Sequence, residues 1–170
     1  MFATVRQHKT RAAIATALLV VFLSACSTTS MNSPPKIEPY AGKDNVGAVN
    51  DSMFIGQWTV RQLNPPEGVP QSDSLATISK DGSIVVISDS AASGVNLKLQ
   101  MTGTWQASGN MLKTQMESIK EISGNPMGGL LVKMMSSMTA DMSGEAEVYE
   151  ATQNRFVVVG KEGVAVEYTR

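Results

Sequence analysis

From Met53 to Arg170 the apolar positions fall in short alternating runs, cut at close intervals by turn formers. A period of two sends successive side chains to opposite faces, the mark of a strand with one buried side. "MFIGQWTVRQL" predicts a first strand over 53–63, and the three prolines of "NPPEGVPQSD" predict a loop over 64–73. "SLATIS" and "SIVVIS" flank Lys80-Asp81-Gly82, a hairpin signal. "VNLKLQMTGTW" and "MLKTQMESIKEI" flank "QASGN", and "EAEVYEAT", "RFVVVG" and "VAVEYTR" complete the chain. Six to eight antiparallel strands with short links predict a meander that either closes into a barrel or stacks as a sandwich. The inward positions include Ile84 or Val85, Leu112, Met116, Val157 and Val166. In 111–122, Leu112, Met116 and Ile122 share one face and Lys113, Gln115, Glu117 and Glu121 the other. Lys120 falls on the apolar face, so it lines a cavity or marks a bulge.

One segment departs from the alternation. "NPMGGLLVKMMSSMTADMSG" (125–144) places Leu131, Met135, Met138 and Met142 at helical spacing, with Pro126 suited to begin a helix and Gly144 to end it. A short amphipathic helix inserted between strands is the expectation. Its methionines fit core or lid packing, since the thioether chain adapts to irregular gaps. Thioether ligation of Cu(I) is the sharper alternative, but no His or Cys is at hand to assist it, and no metal site is assigned.

The N-terminus reads differently. Arg6, Lys9 and Arg11 precede an apolar run from Ala12 to Leu23, shorter than the about 20 residues that span a bilayer. A basic start, a short apolar stretch and then small residues describe an export signal over 1–25. Leu23-Ser24-Ala25-Cys26 resembles the lipobox of bacterial lipoproteins, and Cys26 is the single cysteine. The resemblance implies that Cys26 is diacylated and becomes the first mature residue, and that Ser27 directs the protein to the outer membrane. Each buried lipid methylene contributes about 0.8 kcal/mol, so several acyl chains on one residue hold firmly. Residues 27–52, rich in Ser, Pro, Gly and Asn, are expected to be a flexible tether following the lipidated Cys26. The alternative is an arm that docks through Ile37, Tyr40 or Val46.

Composition narrows the function classes. Loss of 1–25 lowers the 14 basic residues to 11 against 15 acidic, a balance of −4, and a mildly acidic chain without a basic cluster argues against nucleic acid as a partner. His8 is the single histidine and leaves with the signal. Imidazole-based triads and His- or Cys-ligated zinc sites therefore cannot be built. The pairs Glu117/Glu121 and Glu145/Glu147 each share a face and read as solvated outer charges. The expectation is a protein that is not an enzyme and carries no cofactor beyond the lipid on Cys26.

Both tryptophans follow a glycine by two positions, in "GQW" (56–58) and "GTW" (103–105). A glycine permits close backbone approach, and an aromatic two residues on points to the same face and can plug a barrel. "GQW" in the first strand is similar to the lipocalin pattern, and the resemblance extends to a terminal basic residue, here Arg170, placed to cover Trp58. It implies an all-β fold over 53–170: a small antiparallel up-and-down barrel, with one short inserted helix. Gly56, Trp58 and Arg170 are then structural. Trp105, Met116, Leu131, Met135 and Met138 are the candidates for contact with a small apolar ligand, Trp105 also reading as core. The function expected is a membrane-anchored, periplasm-facing lipoprotein that binds a small apolar or amphipathic molecule. The alternative is a filled barrel that contacts an envelope protein.

Overall fold

A computed structural model of the protein describes residues 37–42, 49–66, 71–92, 95–126, 128–136 and 143–170. Eight antiparallel strands close on themselves in chain order. They are β1 (Gly56–Gln62), β2 (Ser74–Ile78), β3 (Ser83–Ala92), β4 (Val95–Ser108), β5 (Met111–Glu121), β6 (Gly144–Ala151), β7 (Arg155–Gly160) and β8 (Ala165–Thr169). A 3-10 turn (Asp51–Met53) precedes β1, and an α-helix, α1 (Gly128–Ser136), stands between β5 and β6. The all-β barrel with a short inserted helix is therefore the fold, and the sandwich is excluded by the β1–β8 ladder, which runs from Thr59↔Thr169 to Gln62↔Val166. Closure removes the unpaired edges that an open meander would leave.

Alternation holds along the strands and turns apolar side chains to the interior. Trp58 and Val60 of β1, Ala76 and Ile78 of β2, Ile84 and Val86 of β3, and Leu99 and Met101 of β4 are all buried in one cluster. Two bulges interrupt the rule. Between β4 and β5 the register passes from Thr102↔Ser118 to Gly103↔Met116, which leaves Glu117 unpaired. The extra residue resets the phase: Met116 and Ile119 are both buried and Lys120 is exposed. The question posed by Lys120 is answered by the bulge, and Ile122, expected inside, is 42% exposed. A second shift, at Tyr149 in β6, lies between Val148 and Glu150.

Val157 is not inward as expected. Phe156 and Val158 of β7 face the interior cluster, whereas Val157, Val159 and Ala165 form a second cluster beneath Tyr40, Leu63 and Tyr149. The outer wall of β7 and β8 is thus apolar because a piece of chain covers it. Asn64 holds that piece: its side-chain amide donates to the Glu38 carbonyl (2.7 Å) and to the Gly163 carbonyl (2.7 Å). Its Oδ1 accepts from the Ala165 amide at 2.8 Å. Of the stretch expected to be a tether, residues 37–42 instead dock on the barrel, and Ile37 and Val49 pack against the main core. Val46 and the remainder lie outside the described residues.

Outside the seam, charges alternate from strand to strand. Arg61 makes a bidentate pair with Asp73 at 2.7 Å and stands opposite Glu167 in the register. Arg155 bonds Glu167 at 2.6 Å and also pairs with Glu150. Hydrogen bonding to Arg61 holds the Asp73 carboxyl below its usual range. Water screens exposed pairs of this kind, so they help to specify strand register more than they stabilise it.

Candidate functional site

The two ends of the barrel differ. One is bounded by the turns after β2, β4 and β6 and by both ends of the barrel chain, and it is plugged. Trp58 is 1% exposed and its Nε1 donates to the Phe54 carbonyl at 2.6 Å. Phe156 meets Trp58 edge-on at 4.7 Å, Phe54 edge-on at 5.0 Å, and stacks on Tyr168 at 4.2 Å. Such pairs add packing specificity beyond the area they bury. The Arg170 guanidinium carbon lies 3.9 Å from the centroid of Trp58. Arg170 Nη2 donates to the Ile55 carbonyl at 2.6 Å, and the Arg170 amide donates to the Asn154 carbonyl at 3.0 Å.

The first Gly-x-Trp now has a cause. Gly56 has φ +139°, and a Cβ there would stand 3.0 Å from Arg170 Nη2 and 3.2 Å from its Cζ. The missing side chain is the space that the guanidinium occupies over the indole. The second copy has another cause. A Cβ on Gly103 would overlap the carbonyl oxygen of Gln115, because the β4–β5 bulge brings the two backbones together there. Trp105, two residues on, donates Nε1 to the Ser79 carbonyl at 2.8 Å and meets Phe54 edge-on at 6.1 Å. It ties β4 to the β2–β3 turn, with 9% of its surface exposed.

The other end lies beneath α1. Glu121 accepts from the Ser123 hydroxyl and from the amides of Ser123 (2.6 Å) and Gly124 (3.1 Å), which turns the chain out of β5. Gly128 then starts α1 against the Glu121 side chain. Val132 and Met135, one turn apart, face the core, while Leu130, Lys133 and Ser136 are exposed. Leu131 is on α1, but its side chain is not described, and Met138 and Met142 lie outside the described residues, as does Cys26. The helix is described over 128–136 of the 125–144 expected. Among the site candidates, Trp105, Met116 and Met135 share one buried cluster. Gly56, Trp58 and Arg170 meet at the plugged end.

The alternation of β1 to β3 also carries something the sequence reading passed over. Gln62, Ser74 and Ser88 continue the inward faces of Trp58, Ala76 and Val86, and are 2%, 7% and 3% exposed. The period-two pattern that placed Trp58 inside places Gln62 there too. Tyr168 is a fourth buried polar group, and burial alone pushes its phenol up to about 12. In the unfolded chain a tyrosine titrates near 10. The neutral phenol therefore contributes stability fully below about pH 10, and the contribution is lost as pH rises through about 12. Alkaline unfolding followed by circular dichroism should show a loss of about 3 kcal/mol across that window, and Tyr168→Phe should remove most of it.

The remaining groups offer little chemistry. Glu145 pairs with Lys113 at 3.2 Å, Glu147 accepts from Asn110 at 2.6 Å, and Glu117 is exposed at the bulge. Among the described residues, no three His, Cys, Asp or Glu side chains are placed to hold a metal ion. Among the described residues, two shallow cavities lie on the outer wall. One, of about 290 Å³, has Trp105, Thr104, Gln106 and Gln115 in its lining; the other, of about 360 Å³, has Thr114, Ser143, Gly144 and Lys161. Comparison with protein-family models and with curated proteins finds no match for this sequence.

Proposed function

We propose that the protein is a non-catalytic lipoprotein, held through Cys26 in the outer membrane and facing the periplasm, whose lipocalin-like barrel receives a small apolar or amphipathic molecule beneath α1. The observation that carries this reading is the contrast between the two ends. One is stopped by Trp58, Phe54, Phe156 and Arg170. Among the described residues the other is covered by the short helix α1, which contributes Val132 and Met135, and by the docked arm held at Asn64, which adds Ile37. Leu99, Met101 and Ile119 are buried in the same cluster as Met135, apolar and in part adaptable, which is the lining an apolar ligand needs. Burial of ligand area supplies the affinity, and α1 acts as the lid.

A second reading has its own observation. The two cavities described above lie on the outer wall, where they suit contact with an envelope protein. Native mass spectrometry of the protein purified from its own envelope separates the two. Ligand binding predicts a reproducible apolar species that is lost when Met135 and Met138 are both replaced by Gln. A clean apo mass, with no uptake of hydrophobic probes, would contradict it and favour the partner. The same mass tests the anchor, which predicts a chain beginning at a lipidated Cys26; an unmodified cysteine would sink it.

A further inference from the structure

Gln62, Ser74 and Ser88 are the buried polar side chains found on the inward faces of the described strands β1, β2 and β3. Ser74 is paired with Ser88 across β2 and β3 and donates to its Oγ at 3.0 Å. The Ser88 hydroxyl proton then remains free to donate. Gln62 Nε2 donates to the Asn64 carbonyl at 3.1 Å, while its Oε1 has no partner among the described residues. Tyr168 stands diagonally across the seam from Gln62, since Val60 pairs with Tyr168 and Gln62 with Val166. Diagonal neighbours on one face are within reach of an aromatic and a long side chain. The Tyr168 hydroxyl also lacks a hydrogen-bond partner among the described residues, although the residue is 7% exposed.

Unpaired polar atoms in an apolar interior are costly and rare in native proteins. These three share one feature besides: none carries a charge, and no Lys, Arg, Asp or Glu is buried among the described residues. An ionised group entering here would lose its hydration with no countercharge to replace it. Two hydroxyl donors and an amide oxygen instead match a group that both accepts and donates.

We infer that Gln62, Ser88 and Tyr168 form the polar end of the interior site and select an amphipath with an uncharged hydroxyl head, a fatty alcohol or monoacylglycerol, over a free fatty acid. The inference rests on the ligand-binding reading above. The head group takes hydrogen bonds from Ser88 and Tyr168 and donates to Gln62 Oε1, while the alkyl chain lies against Leu99, Met101 and Met135.

Calorimetric titration of the full chain carrying Cys26→Ser tests it, with decanol and decanoate as probes at about pH 8, where the acid is ionised. Decanol should bind at least about tenfold more tightly than decanoate, a preference expected from an uncharged buried site. Gln62→Met and Tyr168→Phe, which keep side-chain volume, should each shrink that ratio about fivefold or more while both variants stay folded by circular dichroism. Should Gln62→Met fail to fold, Ser88→Ala provides the same readout. Decanoate binding as tightly as decanol, or a ratio untouched by the substitutions, would overturn the inference and leave the ligand-binding reading standing. Failure of both probes to bind would overturn both. A crystal structure grown with decanol that shows only a water between Gln62 and Tyr168 would also overturn it.

Discussion

Trp58→Ala should lower the unfolding free energy by about 3–5 kcal/mol, as deletion of a large buried aromatic does. The loss is large for three reasons visible at the plugged end. The indole is 1% exposed, so almost its whole area is returned to water or replaced by a void. The Phe54 carbonyl, which accepts from Nε1 at 2.6 Å, is left without that partner in the interior. Phe156 loses an edge contact, and the Arg170 guanidinium loses the ring beneath it. Small domains are stable by about 5–15 kcal/mol in total, so the variant should unfold at a clearly lower urea midpoint with an unchanged slope. Arg170→Ala removes the guanidinium alone and should cost only about 1 kcal/mol. Equal losses for the two variants would show that the ring is not the plug.

Gly103→Ala should cost about 3 kcal/mol, the upper part of the usual range for overpacking, because the obstacle is backbone. The added carbon overlaps the Gln115 carbonyl oxygen, which a rotamer change cannot move. Relief requires β4 and β5 to part, or the bulge at Glu117 to migrate. A one-residue slip would carry Lys120 inward and Ile119 outward, so the strained native register remains the lesser cost. Hydrogen exchange should accelerate along 97–105 and 114–121 first, and urea unfolding gives the magnitude. Gly129→Ala is the control, since an added Cβ there meets open space; it should leave stability unchanged or slightly raised. A neutral Gly103→Ala would mean that the strands do not approach so closely.

Strand number and order follow from local signals and were readable. Short alternating runs and Gly-containing turns are properties of neighbouring residues, and each predicted strand from β1 to β8 is present. Whether the meander closes is a long-range matter, decided by pairing between residues more than a hundred positions apart, such as Val60 with Tyr168. Alternation by itself allowed a sandwich as well. It misled at two places, each for a physical reason. The bulge at Glu117 shifts phase without any local mark, which put Ile122 inside on paper and outside in the fold. Val157 looked inward because it is apolar, but its apolar character serves the docked Tyr40 segment on the outer wall. A coverage of that kind depends on where a distant, turn-rich stretch comes to rest.

The candidate site was legible in the same uneven way. Spacing placed Met135 on the helix face that meets the core, and helical periodicity needs only local sequence. The polar set Gln62, Ser74, Ser88 and Tyr168 was hidden, since serine and glutamine in a strand read as outward unless the phase is followed from Trp58. The two Gly-x-Trp copies look alike in sequence and differ in the fold. Gly56 makes room for a side chain from the far end of the chain, and Gly103 for a neighbouring backbone.

The most direct test of a barrel closed at Trp58 and open to ligand beneath α1 is a nuclear magnetic resonance titration of the nitrogen-labelled full chain with decanol. Shifts are expected at the amides of Gln62, Ser74, Ser88, Leu99, Ile119 and Met135, with the Trp58 indole signal unmoved. No saturable shift, or shifts confined to Thr104, Gln106 and Lys113 on the outer wall, would contradict it.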